Sequence, residues 1–158
     1  ELAERIAAEI EAKKQVAYLT LCVSLTYSTY IYTLEAVRKR CPDITTLPIP
    51  GVTSWCAVAA ATEWPLGEQK ARVLTLPCPD DMAILQAAIQ QNDVIVLMKV
   101  GKRLPLVLDL LRKLGITEHS ALGHRVGMPE EKLIPNLATE EITASFGYLS
   151  TLLIRKSG

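Results

Sequence analysis

Gly51, Thr53 and Ser54 stand close together in the run Leu47-Pro48-Ile49-Pro50-Gly51-Val52-Thr53-Ser54. Gly51 after Pro50 permits a sharp turn or a close backbone approach to a ligand. Pro48 suits a strand end, because it offers no N–H to a ladder. Thr53 or Ser54 can cap the helix that follows. A strand that ends in a tight turn and feeds a helix N-terminus is where α/β proteins hold polar ligands. The same turn is also a common plain connection that binds nothing. Gly101 and Gly127 each follow an apolar, β-rich run, and Met98 lies near the end of the most hydrophobic of these, Val94 to Val100. Gly, Ser, Thr and Met at strand ends suit a nucleoside-like ligand, held by backbone groups and one soft side chain. Met98 in such a run equally suits core packing. No Gly-x-Ser-x-Gly, no His–Cys pair within one motif and no phosphate-loop lysine occurs, so no residue is assigned a catalytic role.

The elements that must position these residues alternate. Leu2, Ile6, Ala7 and Ile10 recur at helical spacing. Gln15 to Leu21 reads as a buried strand, Ser28 to Arg40 as a helix and Ile44 to Ile49 as a second strand, which implies a right-handed parallel unit. A small-residue helix follows from Ser54 to Glu63, bracketed by Trp55 and Trp64, and its alanines invite close approach to a sheet. Beyond Gly67 the pattern gives strands at Arg72–Leu76, Val94–Val100 (expected to be central), Ser120–Val126 and Tyr148–Arg155. A short edge strand is expected within Glu131–Leu137, where Pro135 limits pairing. Asp80 or Asp81 caps a helix from Met82, Pro105 opens another, and Gly115 closes it.

Composition excludes several classes. Acidic and basic residues number 17 each, aromatics are 5 %, and no basic block stands out, so nucleic-acid binding has no electrostatic support. No apolar run reaches the roughly 18 residues of a membrane span. Cys22, Cys41, Cys56 and Cys78 are widely separated, which suggests buried thiols in a reducing cytoplasm rather than zinc or a disulfide framework. His119 and His124 lack a good metal spacing, and no metal site is expected.

Five stretches carry a resemblance: TLCVSLTYSTYIYTLEAVRK (Thr20–Lys39), IPGVTSWCAVAAATEWPLGE (Ile49–Glu68), VIVLMKVGKRLPLVLDLLRKLG (Val94–Gly115), HRVGMPEEKL (His124–Leu133) and YLSTLLIR (Tyr148–Arg155). Through them the chain resembles the tetrapyrrole methyltransferases of cobalamin biosynthesis, in particular the subgroup that methylates carbon 20 of precorrin-2. The resemblance implies a two-domain α/β fold, with residues 1–49 as the end of the first parallel domain and 50–158 as a complete second, mixed-sheet domain. It implies S-adenosylmethionine as methyl donor, precorrin-2 or cobalt-factor II as substrate, a homodimer and a cytoplasmic location. Thr26, Thr53, Ser54, Met98 and Gly127 would hold the cofactor, the last four converging on one cleft. Where the family carries Gly-Asp-Pro after the first of these strands, this chain has Cys22-Val23-Ser24. The family's Gly-rich opening loop is also missing, as though about a third of its length lay upstream. Both departures point to weak cofactor binding, or to a non-catalytic homologue.

Overall fold

The protein is described by a computed structural model covering residues 1–21 and 23–156. Its chain divides into two compact units, Glu1–Thr53 and Ser54–Gly158.

The first unit holds α1 (Leu2–Glu11) and α2 (Tyr30–Arg38). The helices pack together, and an Arg40–Glu4 ion pair of 2.9 Å lies between residues just beyond α2 and within α1. On α2 the Glu35–Lys39 pair forms at 3.5 Å. At the start of α2 the Ser28 hydroxyl accepts from Tyr30 N at 3.2 Å. Residues 15–20 and 44–50 run without regular structure, and neither expected strand forms. The reason is non-local. Apolar β-type patterning makes an extended conformation acceptable, but a strand exists only when its N–H and C=O groups find a ladder partner. None is provided among the described residues of this unit. Leu19 and Leu47 stay 91 % and 87 % exposed as a result.

The second unit is a five-stranded mixed sheet of order β1-β2-β5-β3-β4. Its strands are β1 (Val73–Pro77), β2 (Val94–Met98), β3 (Ser120–His124), β4 (Lys132–Ile134) and β5 (Ser150–Arg155). β1 and β2 are parallel, whereas β5 runs antiparallel to both β2 and β3. β4 stops one residue before Pro135, which cannot donate to a ladder. The hydrophobic run of β2 is fully buried, but β5 takes the middle of the sheet.

Three helices cover the sheet: α3 (Ser54–Ala61), α4 (Met82–Gln91) and α5 (Leu104–Lys113). Asp81 caps α4 by accepting from Ala83 N at 2.8 Å. Gly115, with φ +68°, takes the left-handed position past α5 that glycine adopts without a Cβ penalty. Alternation of strand side chains divides the core between two faces. Ile95, Leu97, Leu122, Leu152 and Ile154 pack with α4 and α5. Val96, Met98, Ala121 and Leu153 pack with Val58 of α3 and with Trp55 and Trp64. Of the alanines of α3, Ala59 packs on this sheet face. Val58 is the buried residue of that helix, and it meets Gly123 in β3. Past the end of α3 the Arg155 guanidinium lies 4.9 Å from the Trp64 ring centre and donates to the Pro65 carbonyl at 2.6 Å.

Candidate functional site

The strand directions bring the C-terminal ends of β1, β2 and β3 and the N-terminal end of β5 to a single rim of the sheet. Backbone register sets a row there: Pro77 opposite Met98, Met98 opposite Thr151, and Thr151 opposite Gly123. Ser54 joins this row from the start of α3, its hydroxyl oxygen accepting from Thr151 Oγ1 at 3.0 Å. Thr151 is almost fully buried, so this bond satisfies a polar group that would otherwise be costly.

The backbone turns sharply past that row. Lys99, Gly101, Arg125, Gly127 and Leu149 all have φ between +48° and +82°. A left-handed non-glycine residue costs about 1–2 kcal/mol, and such residues concentrate at functional sites. The rim is braced by local bonds. Arg103 pairs with Asp80 and donates to the carbonyls of Lys99 at 2.9 Å and Val100 at 3.4 Å, so it ties the loop after β1 to the loop after β2. Cys78 N donates to Met98 O at 2.7 Å. Burial pushes the Cys78 thiol up, opposed by the Arg103 charge. A Cβ on Gly147 would fall on the Gly101 carbonyl, so the turns after β2 and before β5 touch through two glycines.

At the end of β3, His124 Nδ1 lies 3.0 Å from Ser150 Oγ, and the Ser150 hydroxyl donates to the Phe146 carbonyl. The serine proton is thereby committed, so the imidazole carries its hydrogen on Nδ1 and donates it to Ser150. The His124 ring also meets Phe146 edge-on at 5.3 Å. His124 is thus a buried, bonded histidine of the sheet, whereas His119 is exposed. The following turn is pinned by two glutamates. Gly127 N donates to Glu131 Oε2 at 2.7 Å, and Arg125 Nη1 donates to Glu130 Oε2 at 3.2 Å.

Of the residues singled out in the sequence, Ser54 and Met98 come together through Thr151. Gly127 lies on the same rim, and Val126 packs on the cluster that holds Met98. Met98 is itself buried, its side chain on the α3 face. The Gly127 N–H, expected to approach a ligand, is occupied by Glu131. Thr26 and Thr53 belong to the other unit, where Thr26 sits in a turn with its N–H on the Val23 carbonyl at 3.1 Å. Cys22 lies outside the described residues. Among the other cysteines only Cys78 is buried; Cys41 is half-buried and Cys56 exposed, because their positions on α2's end and α3 face away from the cores. Sequence reasoning missed Thr151, Gly123 and Arg125. A glycine inside the β-run Ser-Ala-Leu-Gly-His is a signal of close approach, and Ser-Thr within the apolar Tyr148–Arg155 run is a signal of a buried polar contact.

A family model for the Tetrapyrrole (Corrin/Porphyrin) Methylases matches residues 1–140. The cobalt-precorrin-2 C(20)-methyltransferase of Salmonella typhimurium is 33 % identical over 156 residues, covering 99 % of this chain and 65 % of that protein. The cobalamin biosynthesis protein CobIJ of Mycobacterium tuberculosis is 28 % identical over 153 residues, covering 94 % of this chain and 29 % of that protein. The chain therefore spans less than two thirds of these relatives' length. The fold matches a solved cobalt precorrin-4 methyltransferase, CbiF, with TM-score 0.74 at 18 % identity, over 98 % of this chain and 70 % of that one. It also matches the uroporphyrin-III C-methyltransferase of Thermus thermophilus complexed with S-adenosyl homocysteine, with TM-score 0.63 at 16 % identity, over 98 % and 71 % of the two chains.

Proposed function

The chain belongs to the tetrapyrrole (corrin/porphyrin) methylases, and from that premise we propose that it serves S-adenosylmethionine-dependent methylation of carbon 20 of precorrin-2, or of its cobalt form, in cobalamin biosynthesis. The observation that carries the reading is the 33 % identity to the Salmonella enzyme along nearly the whole chain. The rim is compatible with it. A Cβ built on Gly127 or Gly101 meets nothing within 4 Å, so the Cβ side of both glycines is open, while Gly147 packs on the Gly101 carbonyl and Glu131 holds the Gly127 N–H. Bound there, the cofactor would supply a methyl group already activated on a sulfonium.

The protein's part is then alignment and exclusion of water. Ser54 accepts from Thr151 and keeps its own hydroxyl proton to donate. Met98 offers an apolar, polarizable wall beneath the rim. Thr26, Thr53, Ser54, Met98 and Gly127 are our cofactor set; for Gly127 to donate its N–H, Glu131 must move aside. No group stands out as a strong base, in keeping with a donor that needs little activation. We also propose a homodimer, since apolar side chains of residues 16–52 are left exposed and contact with a second copy would cover them. Sedimentation showing a monomer at high concentration would contradict that.

The test of function is incubation of the chain with methyl-labelled S-adenosylmethionine and enzymatically prepared precorrin-2. The expected product is a tetrapyrrole heavier by one methyl group, placed on carbon 20 by carbon NMR. A second reading is a non-catalytic homologue, favoured by the Cys22-Val23-Ser24 sequence and by the unpaired runs of the first unit. Absence of label in the tetrapyrrole, with the chain folded, would decide for it.

A further inference from the structure

Among buried side-chain nitrogens and oxygens of the described residues, Arg125 Nε alone has no hydrogen-bond partner. An unsatisfied buried donor is expensive, more so on a charged group, and calls for a physical reason. The setting sharpens the question. Arg125 holds a left-handed backbone at φ +48°, and its N–H bonds the carbonyl of Leu149, itself left-handed at φ +54°. Two strained residues thus fix the point from which this side chain leaves the rim. The side chain is 34 % exposed, and its Nη1 rests on Glu130, a surface carboxylate. One corner of the fork is engaged through Nη1, while Nε, one half of the edge that binds a carboxylate bidentately, is buried without a protein acceptor. Two residues on, a second carboxylate, that of Glu131, sits on the Gly127 N–H. The turn thus already binds carboxylates, both its own.

We propose that Arg125 is a ligand-binding residue whose side chain leaves Glu130 and turns its buried Nε outward, to pair through the Nε–Nη2 edge with a carboxylate of the bound ligand. The proposal rests on the reading of the chain as a tetrapyrrole methylase, in which two ligands carry that chemistry: the tetrapyrrole, through its acidic side chains, and the cofactor, through its amino-acid end. Arg125 then sets specificity for a carboxylated ligand, and Glu130 is the resting partner that the ligand displaces.

The test is equilibrium binding by the full chain, without turnover. Probes are uroporphyrin III, S-adenosylhomocysteine and 5′-methylthioadenosine, which shares the nucleoside and thioether but lacks the carboxylate. Arg125→Met is expected to weaken a carboxylated probe roughly tenfold to a hundredfold, the worth of a charged hydrogen bond. Glu130→Gln removes only a surface competitor and is expected to tighten the same probe about two- to fivefold. Weakening of uroporphyrin III identifies the tetrapyrrole carboxylate. Weakening of S-adenosylhomocysteine with methylthioadenosine unchanged identifies that of the cofactor. The proposal is overturned if Arg125→Met weakens no probe, or weakens methylthioadenosine equally, or if the unaltered chain binds none of the three. Should Arg125→Met fail to fold, Glu130→Gln still decides, since weaker or unchanged binding in that variant overturns the displacement. Arg125-dependent binding without methyl transfer would defeat the catalytic reading and leave this one intact.

Discussion

Replacing Gly123 by alanine probes how α3 is seated on the sheet, and so how Ser54 is held at the rim. A Cβ at Gly123 would overlap Val58 Cγ2 and lie 2.8 Å from Val126 Cγ2 and 3.0 Å from Val58 Cγ1. All three are well inside van der Waals contact. Forcing a methyl group into a packed core costs about 1–3 kcal/mol. The strand backbone suits alanine, and the loss of glycine's freedom in the unfolded chain returns about 0.4–1 kcal/mol. The net expectation is a loss of about 1–2 kcal/mol, or roughly 4–8 °C in Tm per kcal/mol for a unit of this size. Val58→Ala, which removes two methyl groups from a residue 1 % exposed, should cost about 2–3 kcal/mol by itself. The informative variant is the double one. The methyl group introduced at position 123 would enter the space Val58 leaves, so the double variant should be more stable than the sum of singles predicts by about 1–2 kcal/mol. Urea unfolding followed by tryptophan fluorescence is a direct assay, because Trp55 and Trp64 both pack on this cluster. Costs that add to within about 0.5 kcal/mol would show that Gly123 and Val58 do not share this space, and the packing argument would fail.

Three further outcomes are expected. Thr151→Val keeps the side chain's shape but removes the hydroxyl that Ser54 accepts from, and should cost about 0.5–1.5 kcal/mol in urea unfolding; an unchanged midpoint would mean the bond contributes nothing. Burial holds the Cys78 thiol protonated to higher pH than in the unfolded chain, with Arg103 opposing. Stability from this source is complete below roughly pH 8.5 and falls as pH rises through the folded value, because the unfolded thiol ionises first; Cys78→Ala should flatten the alkaline decline, and an equal decline in both proteins would refute the assignment. Finally, Val23 offers neither charge nor hydrogen bond where the family carries an acid, so the chain should bind S-adenosylmethionine weakly. Restoring Gly, Asp and Pro at positions 22, 23 and 24 should strengthen calorimetric binding about tenfold or more, whereas micromolar binding that restoration leaves unchanged would show the loop to be irrelevant.

The second unit was largely legible in the sequence because its signals are local. The spacing of Leu106, Leu110 and Leu114, with Val107 and Leu111, defines α5, although Leu106 itself stays 52 % exposed; Asp81 caps α4 through a bond spanning two residues, and Gly115 and Pro135 mark ends by backbone chemistry alone. Ser54, Met98 and Gly127 could be placed at element ends for the same reason. Their relation to one another could not. That Thr151 links Ser54 to Met98 depends on β5, last in sequence, entering the middle of the sheet. Which glutamate would take the Gly127 N–H, and that Arg125 Nε would be shut in without an acceptor, are likewise matters of packing. Residues 15–20 and 44–50 show the limit most plainly. Their apolar, β-type composition records what the backbone tolerates, whereas a strand is a bond between two segments, and one segment's sequence contains only half of it.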